Sequence, residues 1–294
     1  MVDGAEELEP VAIPTAAVRG EIWRRLRANP GAIVGLVIVL LYVAAALLAS
    51  ALAPYDPAEG DVLARLQAPS AQHLLGTDEL GRDILSRLAY GARISLTIQA
   101  AAVVLALAIG VAWGLVAGYF GGWVDDLSMR LIDVQLAFPS ILLAIAIVAV
   151  LGGGLPNVIA AVGIASVPQF ARLVRGVVLE LRKVEYVAAA RALGESDLSV
   201  MVRYVLPGTL APVIVLGSLR MATVLLAASG LNFLGLGVQP PSPEWGAMLS
   251  NARDYMFAAP HVTTAPGLAI TLVAIGFNLL GDGLRDALDP RMRG

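Results

Sequence analysis

The sequence predicts an all-α integral membrane protein with six transmembrane helices. Hydrophobic residues make up 58% of its 294 residues and charged residues only 15%, whereas soluble domains carry roughly 25% charged residues. A helix needs about 20 mostly apolar residues to cross the hydrocarbon core, where an ionised side chain costs several kcal/mol. Long windows without charge, separated by charged segments or by glycine and proline breakers, therefore mark the spans.

Five such windows contain the six predicted spans. The first, residues 28–55, supplies one helix, which the breaker Pro54 ends. The second, residues 94–124, ends in a glycine-rich turn. The third, residues 134–171, is too long for one crossing, and the glycines and proline of residues 152–157 divide it into a helical hairpin. Residues 204–243 supply the fifth helix and contain a single charge, Arg220. Residues 255–281 contain no charge and supply the sixth helix.

Lysine and arginine indicate the orientation of these spans, because cytoplasmic ends retain positive charge. With an inside N terminus, most of the 20 Lys and Arg residues lie on the cytoplasmic side, so both termini are predicted to be cytoplasmic. A cleaved signal, suggested by the small residues at 51–53, is the alternative for the first span. The predicted organisation is a cytoplasmic N-terminal tail (1–28), a first transmembrane helix (29–54), an extracytoplasmic segment (55–92), a five-helix core (93–287) with a cytoplasmic segment at 184–206, and a cytoplasmic C-terminal tail (288–294).

Composition also limits the chemistry. The chain has no cysteine, which excludes disulfides, thiolate catalysis and zinc-thiolate sites. The two histidines, His73 and His261, are far apart and lack a second ligand at metal spacing, so we expect solvated loop histidines and no metal site. A formal net charge of −3 without a basic patch gives no electrostatic basis for binding nucleic acid.

Residues 183–207 interrupt the apolar spans on the cytoplasmic side. Their alanine-rich run favours a helix, Gly194 can take the left-handed conformation that ends one, and Ser196 or Asp197 can cap a second. Pro207 suits the first turn of the next span, where its missing N–H costs nothing. The pattern predicts a helix, a glycine turn and a second helix, which is typical of a docking element. An ordinary amphipathic loop is the alternative.

This segment resembles the cytoplasmic signature of permeases in binding-protein-dependent ABC importers, E-A-A-x3-G-x9-I-x-L-P. Ala188 stands in place of the signature glutamate and Tyr204 in place of its isoleucine, while the other positions match at the expected spacing. In that family the segment forms the coupling helix, which sits in a groove of the ATP-binding subunit. The resemblance implies an ATPase-coupling site that comprises Glu185, Ala188, Ala189, Ala190, Gly194, Ser196, Asp197, Leu206 and Pro207.

Two longer segments narrow the resemblance to the peptide/nickel permease family, and within it to the C-type subunits of dipeptide and oligopeptide importers. They are residues 73–95, HLLGTDELGRDILSRLAYGARIS, and residues 233–248, FLGLGVQPPSPEWGAM. One departure is Ala228, where relatives commonly carry glutamate. The family implies a type I ABC importer permease fold. Shorter matches extend the similarity from residue 29 to the end of the chain: Asn29-Pro30, Tyr55-Asp56-Pro57 and Asp289-Pro290-Arg291.

The first of these segments has charges that suit a receptor-facing surface. A Gly76-Thr77 turn is followed by opposite charges three to four residues apart, which predict a short extracytoplasmic helix; they are Asp78, Glu79, Arg82, Asp83 and Arg87. This helix either pairs its own charges in solvent or contacts a solute-binding protein, for which a proline run at 240–243 supplies a stiff second wall. The candidate binding-protein contacts are Asp78, Glu79, Arg82, Asp83 and Trp245.

The sequence excludes an ATPase site in this chain. The phosphate-binding loop G-x4-G-K-[ST] requires a glycine before its lysine, but the only lysine, Lys183, follows Arg182. The chain is therefore predicted to be non-catalytic, without a cofactor of its own, and with ATP and Mg²⁺ on partner subunits. An intramembrane serine protease at Ser229 would lack a histidine within a span. An ion-coupled secondary transporter would lack an acidic relay across the membrane.

The resemblance implies a complex with a second homologous permease, two ATP-binding subunits and an extracytoplasmic solute-binding protein, embedded in the lipid of a prokaryotic cytoplasmic (inner) membrane. Peptides are the preferred solute; oligosaccharides, glutathione and nickel chelates are alternatives in the same family. The candidate translocation-path residues are Arg220 and Asn232. Because a mid-span arginine needs a partner, Arg220 is expected to pair with a carbonyl or carboxylate of the protein, or to contact a carboxylate of the substrate.

Overall fold

The computed structural model describes residues 23–288. The predicted N-terminal tail, apart from its last six residues, and the C-terminal tail, apart from its first residue, lie outside the described residues. Within the described range the chain is all-α, and nine helices of eight residues or more carry the fold. They are α1 (Pro30–Leu47), α2 (Ile84–Phe120), α3 (Gly122–Leu136), α4 (Ser140–Leu151), α5 (Leu155–Leu181), α6 (Glu185–Ala192), α7 (Leu206–Phe233), α8 (Trp245–Ala252) and α9 (His261–Leu288).

Within residues 23–288, five helical stretches are long and apolar enough to cross a membrane. They are α1, α2, α5, the run from Asp197 to the end of α7, and α9. Helices α3 and α4 meet at an angle of 89°, and the pair makes a sixth span if it counts as one broken crossing. The predicted all-α membrane fold is therefore confirmed, with five to six candidate spans.

The third predicted span differs from the expectation of a straight helix before the glycine turn. Helix α4 has only 12 residues, and Pro139 precedes it in an extended conformation with φ −52° and ψ 129°. Proline disfavours a helical conformation in the residue before it, so the chain breaks at residues 137–139. The apolar stretch that sequence alone read as one helix is divided between α4 and the end of α3.

Helix α2 begins earlier than the predicted span. It starts at Ile84 rather than near residue 93, because the Asp83 carboxylate caps it by accepting a hydrogen bond from the Ser86 N–H at 2.8 Å. Its 37 residues are about 55 Å long, which exceeds the roughly 30 Å hydrocarbon core. Helix α2 therefore extends beyond the membrane.

Helix α2 packs closely against α5 along a row of small residues. A Cβ at Gly110 would lie 2.5 Å from the Phe170 Cβ, and one at Gly114 would lie 2.4 Å from the Ala171 carbonyl oxygen. A glycine every four residues lets two helix backbones approach in a membrane, where hydrophobic burial from water does not drive association. Two clusters of buried apolar side chains continue this core. One joins α2 and α5 to α4 and α7, and the other joins them to α6.

Candidate functional site

The predicted coupling segment has the local structure that the sequence indicated. Helix α6 ends at Ala192, and Gly194 has φ +83°. The Ser196 hydroxyl caps a short turn by accepting from the Ser199 N–H at 3.3 Å. Pro207 lies in the first turn of α7. The predicted helix, glycine turn and second helix are therefore confirmed, but the sequence missed the π-helical stretch Val200–Val205 that joins the turn to α7.

The coupling segment presents an exposed apolar surface. Leu193 is 85% exposed and Leu198 68% exposed. Ala188 and Ala189 are also exposed, as small residues that allow close approach of another chain. Ala190 was expected to share that role, but it is buried against the chain's own core. Large exposed apolar side chains beside small ones are typical of a protein contact surface.

The opposite face of the segment is anchored to the rest of the protein. Val187 and Ala190 pack into a cluster with Val174 and Val178 of α5. Leu206 also packs against this cluster rather than facing outward. The segment therefore packs directly on the helical core.

A polar contact at the end of α2 strengthens this attachment. The Tyr119 hydroxyl donates to the Asp197 carboxylate at 2.7 Å, and Arg191 Nε donates to the Tyr119 oxygen at 3.3 Å. The Arg191 guanidinium also lies 4.5 Å from the centre of the Tyr119 ring, a cation–π distance. We name these three residues the tyrosine clamp. Sequence reasoning identified Asp197 as a cap but gave no signal for Tyr119, which is distant in sequence.

Helix α3 is fixed at the same end of the bundle. Arg175 of α5 makes two parallel hydrogen bonds to the Asp125 carboxylate, of 2.9 and 2.6 Å. Arg172 lies 2.5 Å from Asp133, and this second pair is largely exposed. Two-pronged arginine–carboxylate pairs define orientation as well as distance. Helices α3 and α5 are therefore held together beside the coupling segment.

The charged residues before α2 pair with one another, but not on a helix. The Asp78 carboxylate accepts from Arg82 Nε at 2.7 Å, and Glu79 accepts from Arg82 Nη2 at 2.9 Å. Gly81, at φ +74°, turns the chain here. Asp78, Arg82 and Asp83 are buried in this structure, and their contact with a binding protein stays a prediction. Only Glu79 keeps a partly exposed side chain.

His73, expected to be a solvated loop residue, is held within this segment. Its Nδ1 lies 3.0 Å from an Asp83 oxygen, and its ring lies 4.8 Å from the Tyr55 ring. The other histidine, His261, begins α9 and its Nε2 is buried. The contacts with Asp83 and Tyr55 therefore hold His73 within the fold. The described residues contain no group of three or more His, Asp or Glu side chains able to hold a metal ion.

Trp245 and Glu244 are buried between helices and do not form an exposed surface. Trp245 is 3% exposed, donates through Nε1 to the Leu88 carbonyl at 3.1 Å and packs against the Tyr42 ring. Glu244 caps α8 by accepting from the Ala247 N–H at 2.9 Å. Burial raises the pKa of the Glu244 carboxyl to about 7. The Trp245 ring is enclosed by α1 and α2 in this structure, and its contact with a binding protein stays a prediction.

The two candidate translocation-path residues have different environments. Asn232 is 2% exposed and accepts from the Val238 N–H at 2.6 Å, so it closes the turn after α7 and does not line a path in this structure. Arg220 is half-buried and lines a small cavity between α4, α5 and α7. Gln169, which sequence reasoning did not single out, lines the same cavity.

Comparison with known proteins decides the family. The sequence profile described as "Binding-protein-dependent transport system inner membrane component" matches residues 110–294, more than half of the chain. The chain belongs to this family of transport permeases. A second profile, the N-terminal transmembrane domain of oligopeptide transport permease C, matches residues 19–69. The predicted resemblance to C-type permeases of the peptide/nickel family is thereby confirmed, and the permease is a multi-pass protein of the inner membrane.

Curated relatives agree with this assignment along most of the permease. It is 49% identical over 273 residues to a dipeptide transport system permease of Alkalihalophilus pseudofirmus. The aligned residues cover 93% of this chain and 90% of that relative. It is 51% identical over 275 residues to a glutathione transport system permease of Escherichia coli, covering 93% and 91%. A glutathione permease of Pectobacterium atrosepticum is 49% identical over 274 residues, covering 93% and 91%.

Proposed function

We propose that this permease forms half of the membrane channel of an ATP-driven importer for small peptides. A second permease forms the other half, two ATP-binding subunits carry ATP and Mg²⁺, and a solute-binding protein delivers the solute from outside. The observation that carries this proposal is the anchored coupling segment with its exposed apolar surface at Leu193 and Leu198. Since this permease has no phosphate-binding loop of its own, the energy enters through such a contact.

The geometry of α2 supports opposite roles for its two ends. The charged segment precedes Ile84, whereas the tyrosine clamp holds the coupling segment at Tyr119. These positions are 35 residues apart on one continuous helix, which corresponds to about 52 Å. That distance exceeds the hydrocarbon thickness of about 30 Å, so the two ends lie on opposite sides of a membrane. We place the coupling segment, and with it both termini, on the cytoplasmic side, where lysine and arginine concentrate.

Transport follows from rigid attachment of the coupling segment. Closure of the two ATP-binding subunits moves α6, and its buried contacts with α2 and α5 pass the movement to the spans. The permease pair then opens to the outside and receives solute, and ATP hydrolysis resets it. Switching between the closed and the outward-open arrangement requires that the contact surface of the coupling segment and the spans move together.

Peptides and glutathione are the solutes that the relatives favour. The named relatives transport a dipeptide or glutathione, and both solutes are short, carry a free carboxylate and contain an amide bond. Glutathione is therefore a specific second candidate for the same role.

Uptake into proteoliposomes tests this function. The permease is reconstituted with its cognate partner subunits and binding protein, and radiolabelled alanyl-alanine and glutathione are supplied with ATP inside the vesicles. We expect uptake of at least one solute that requires both ATP and this chain. Uptake driven by a proton gradient without ATP would contradict the proposal and favour an ion-coupled transporter.

A further inference from the structure

The middle of α7 carries an arginine without a counter-charge. Arg220 is half-buried, and among residues 23–288 its guanidinium makes no hydrogen bond or ion pair. Helix α3 contains three aspartates: Asp125 pairs with Arg175, Asp133 pairs with Arg172, and Asp126 makes no ion pair with Arg220. An arginine near mid-span is costly when it is not paired or hydrated. This arrangement indicates that the partner of Arg220 comes from outside the described chain.

Two further polar groups at the same cavity have unused hydrogen-bonding capacity. Arg220, Gln169 and Ser140 line a small, partly open cavity of about 40 Å³. Gln169 Oε1 is buried and has no hydrogen-bond partner among the described residues. Rotation of this amide by 180° presents its NH2 group instead. Ser140 is exposed at the start of α4 and retains its hydroxyl proton for a ligand.

The remaining hydroxyls at this cavity are already engaged. Ser166 donates to the Val162 carbonyl at 2.8 Å, and Thr223 donates to the Arg220 carbonyl at 3.1 Å. The other lining side chains are those of alanine and valine. The cavity therefore offers one fixed positive charge and two neutral donors in apolar surroundings, where electrostatic attraction is stronger than in water.

An anion with two oxygens fits this set of donors. A guanidinium binds a carboxylate through two parallel hydrogen bonds. A cavity of about 40 Å³ has room for a carboxylate group, since one water needs only about 10 to 15 Å³ of such cavity volume. It is too small for a whole dipeptide, so the remainder of such a ligand lies outside the cavity.

We propose that Arg220, Gln169 and Ser140 form a binding site for the carboxylate of the solute as it passes through the permease. The site rests on the proposed function and specifies which chemical group of the solute this chain recognises. The C-terminal carboxylate of a peptide supplies the missing counter-charge. The competing partner is a carboxylate of the second permease, and the experiment separates the two.

Equilibrium binding to the complete transporter in nanodiscs, without its binding protein, tests the site. The probes are radiolabelled alanyl-alanine and its C-terminal amide, at millimolar concentration. We expect the wild type to bind the free acid at least roughly tenfold more tightly than the amide, the ratio that a charge-assisted hydrogen bond supplies. Arg220→Gln should remove this preference, and Arg220→Lys should keep part of it because the charge remains.

Arg130→Gln is the matched control, because Arg130 is exposed on α3 and does not line the cavity. It should bind both probes as the wild type does. The site is overturned if the wild type binds neither probe or both equally, or if Arg220→Gln retains the preference. Loss of complex assembly in Arg220→Gln with equal binding of both probes by the wild type would assign the arginine to the second permease. ATP-driven uptake by the wild type is a separate measurement, so failure of the carboxylate site leaves the importer function standing.

Discussion

At the scale of single residues, Gly194 combines a required backbone conformation with open space around it. Its φ is +83°, and a Cβ added there would meet nothing within 4 Å. The sequence predicted a left-handed turn at Gly194, which the structure contains. In this chain only the backbone conformation constrains the position. Crowding would arise only against a bound ATP-binding subunit.

Gly194→Val should impair coupling without preventing membrane insertion. A β-branched residue in the left-handed region costs about 1 to 2 kcal/mol, which shifts or loosens the turn between α6 and the π-helical stretch. We expect normal membrane levels with weakened binding of the ATP-binding subunits, or with hydrolysis separated from uptake. Copurification of these subunits and the ratio of uptake to hydrolysis measure the effect.

Gly194→Asn is the control, because asparagine tolerates the left-handed conformation. It should retain most of the coupling. If Gly194→Val transports at the wild-type rate with a normal yield of complex, the segment is an ordinary loop and its assignment to coupling is wrong.

Glu244 is a second residue whose surroundings control its chemistry. It is 1% exposed, and burial raises its pKa from 4.5 to about 7, against opposing hydrogen bonds from Ala247, Gly246 and Ser95. A raised pKa in the folded state means that folding favours the protonated carboxyl. The protonated Glu244 carboxyl therefore contributes to the free energy of unfolding in full below about pH 4.5, and this contribution is lost as the pH rises through about 7.

Glu244→Gln should therefore reduce the pH dependence of stability. Glutamine keeps the shape and a cap for α8 but cannot ionise, so between pH 4.5 and about 7 the wild type should lose melting temperature relative to the variant. Thermal unfolding of the purified complex across this range measures the difference. Parallel pH profiles for the two proteins would show that the Glu244 carboxyl does not titrate in this window.

At the scale of elements, the tyrosine clamp connects α2 to both halves of the coupling segment. Tyr119 is 5% exposed and contacts Arg191 of α6 and Asp197 of the following turn. The sequence placed helices on both sides of Gly194, but it did not show which span they pack on. The structure assigns that role to the end of α2.

Tyr119→Phe should loosen the coupling segment while preserving its apolar packing. Loss of the hydroxyl removes the 2.7 Å bond to Asp197, a change of about 1 kcal/mol that alters the population of the docked segment roughly fivefold. We expect less uptake per ATP hydrolysed. Tyr90→Phe, near the opposite end of α2, removes a hydroxyl that makes no hydrogen bond among the described residues and is the control. An unchanged ratio of uptake to hydrolysis in Tyr119→Phe would exclude a mechanical role for the clamp.

At the scale of the whole molecule, topology determines which surfaces an impermeant reagent reaches. The chain contains no cysteine, so single introduced cysteines report their own side. Asp78 and Glu244 lie in the segments predicted to face outward, but they are 6% and 1% exposed and are poor reporters. Leu80, at 52% exposure, lies beside Asp78, and Leu193, at 85%, lies on the coupling segment. Phe257, at 91%, lies in the loop between α8 and α9, because α9 begins at His261 and not at the predicted residue 255.

Leu80→Cys and Phe257→Cys should react with an impermeant maleimide in intact cells. Leu193→Cys should react only after the membrane is permeabilised and the ATP-binding subunits are removed, because it lies at the opposite end of the bundle. Mass-tagged maleimide resolved on a gel measures the labelled fraction. Labelling of Leu193→Cys from outside intact cells would overturn the proposed orientation.

The sequence by itself determined the membrane class, the number of apolar spans to within one and the local form of the coupling segment. These features depend on composition and on near-neighbour chemistry: the absence of charge over about 20 residues, a glycine that turns left-handed and a proline in a first helical turn. A specific signature also carried the family, since residues 188–207 and two longer segments keep its spacing.

Only the tertiary structure decided which polar residues are available for function. Asp78, Arg82 and Trp245 appeared exposed because they are polar or lie beside prolines, yet they are buried by contacts with residues distant in the chain. Arg220 stood out in the sequence as a lone mid-span charge. Its lack of a partner in the part of the chain that the structure describes, and its shared cavity with Gln169, depend on how α4, α5 and α7 pack. Burial and pairing are properties of side chains brought together across the fold, and one-dimensional spacing carries no information about them.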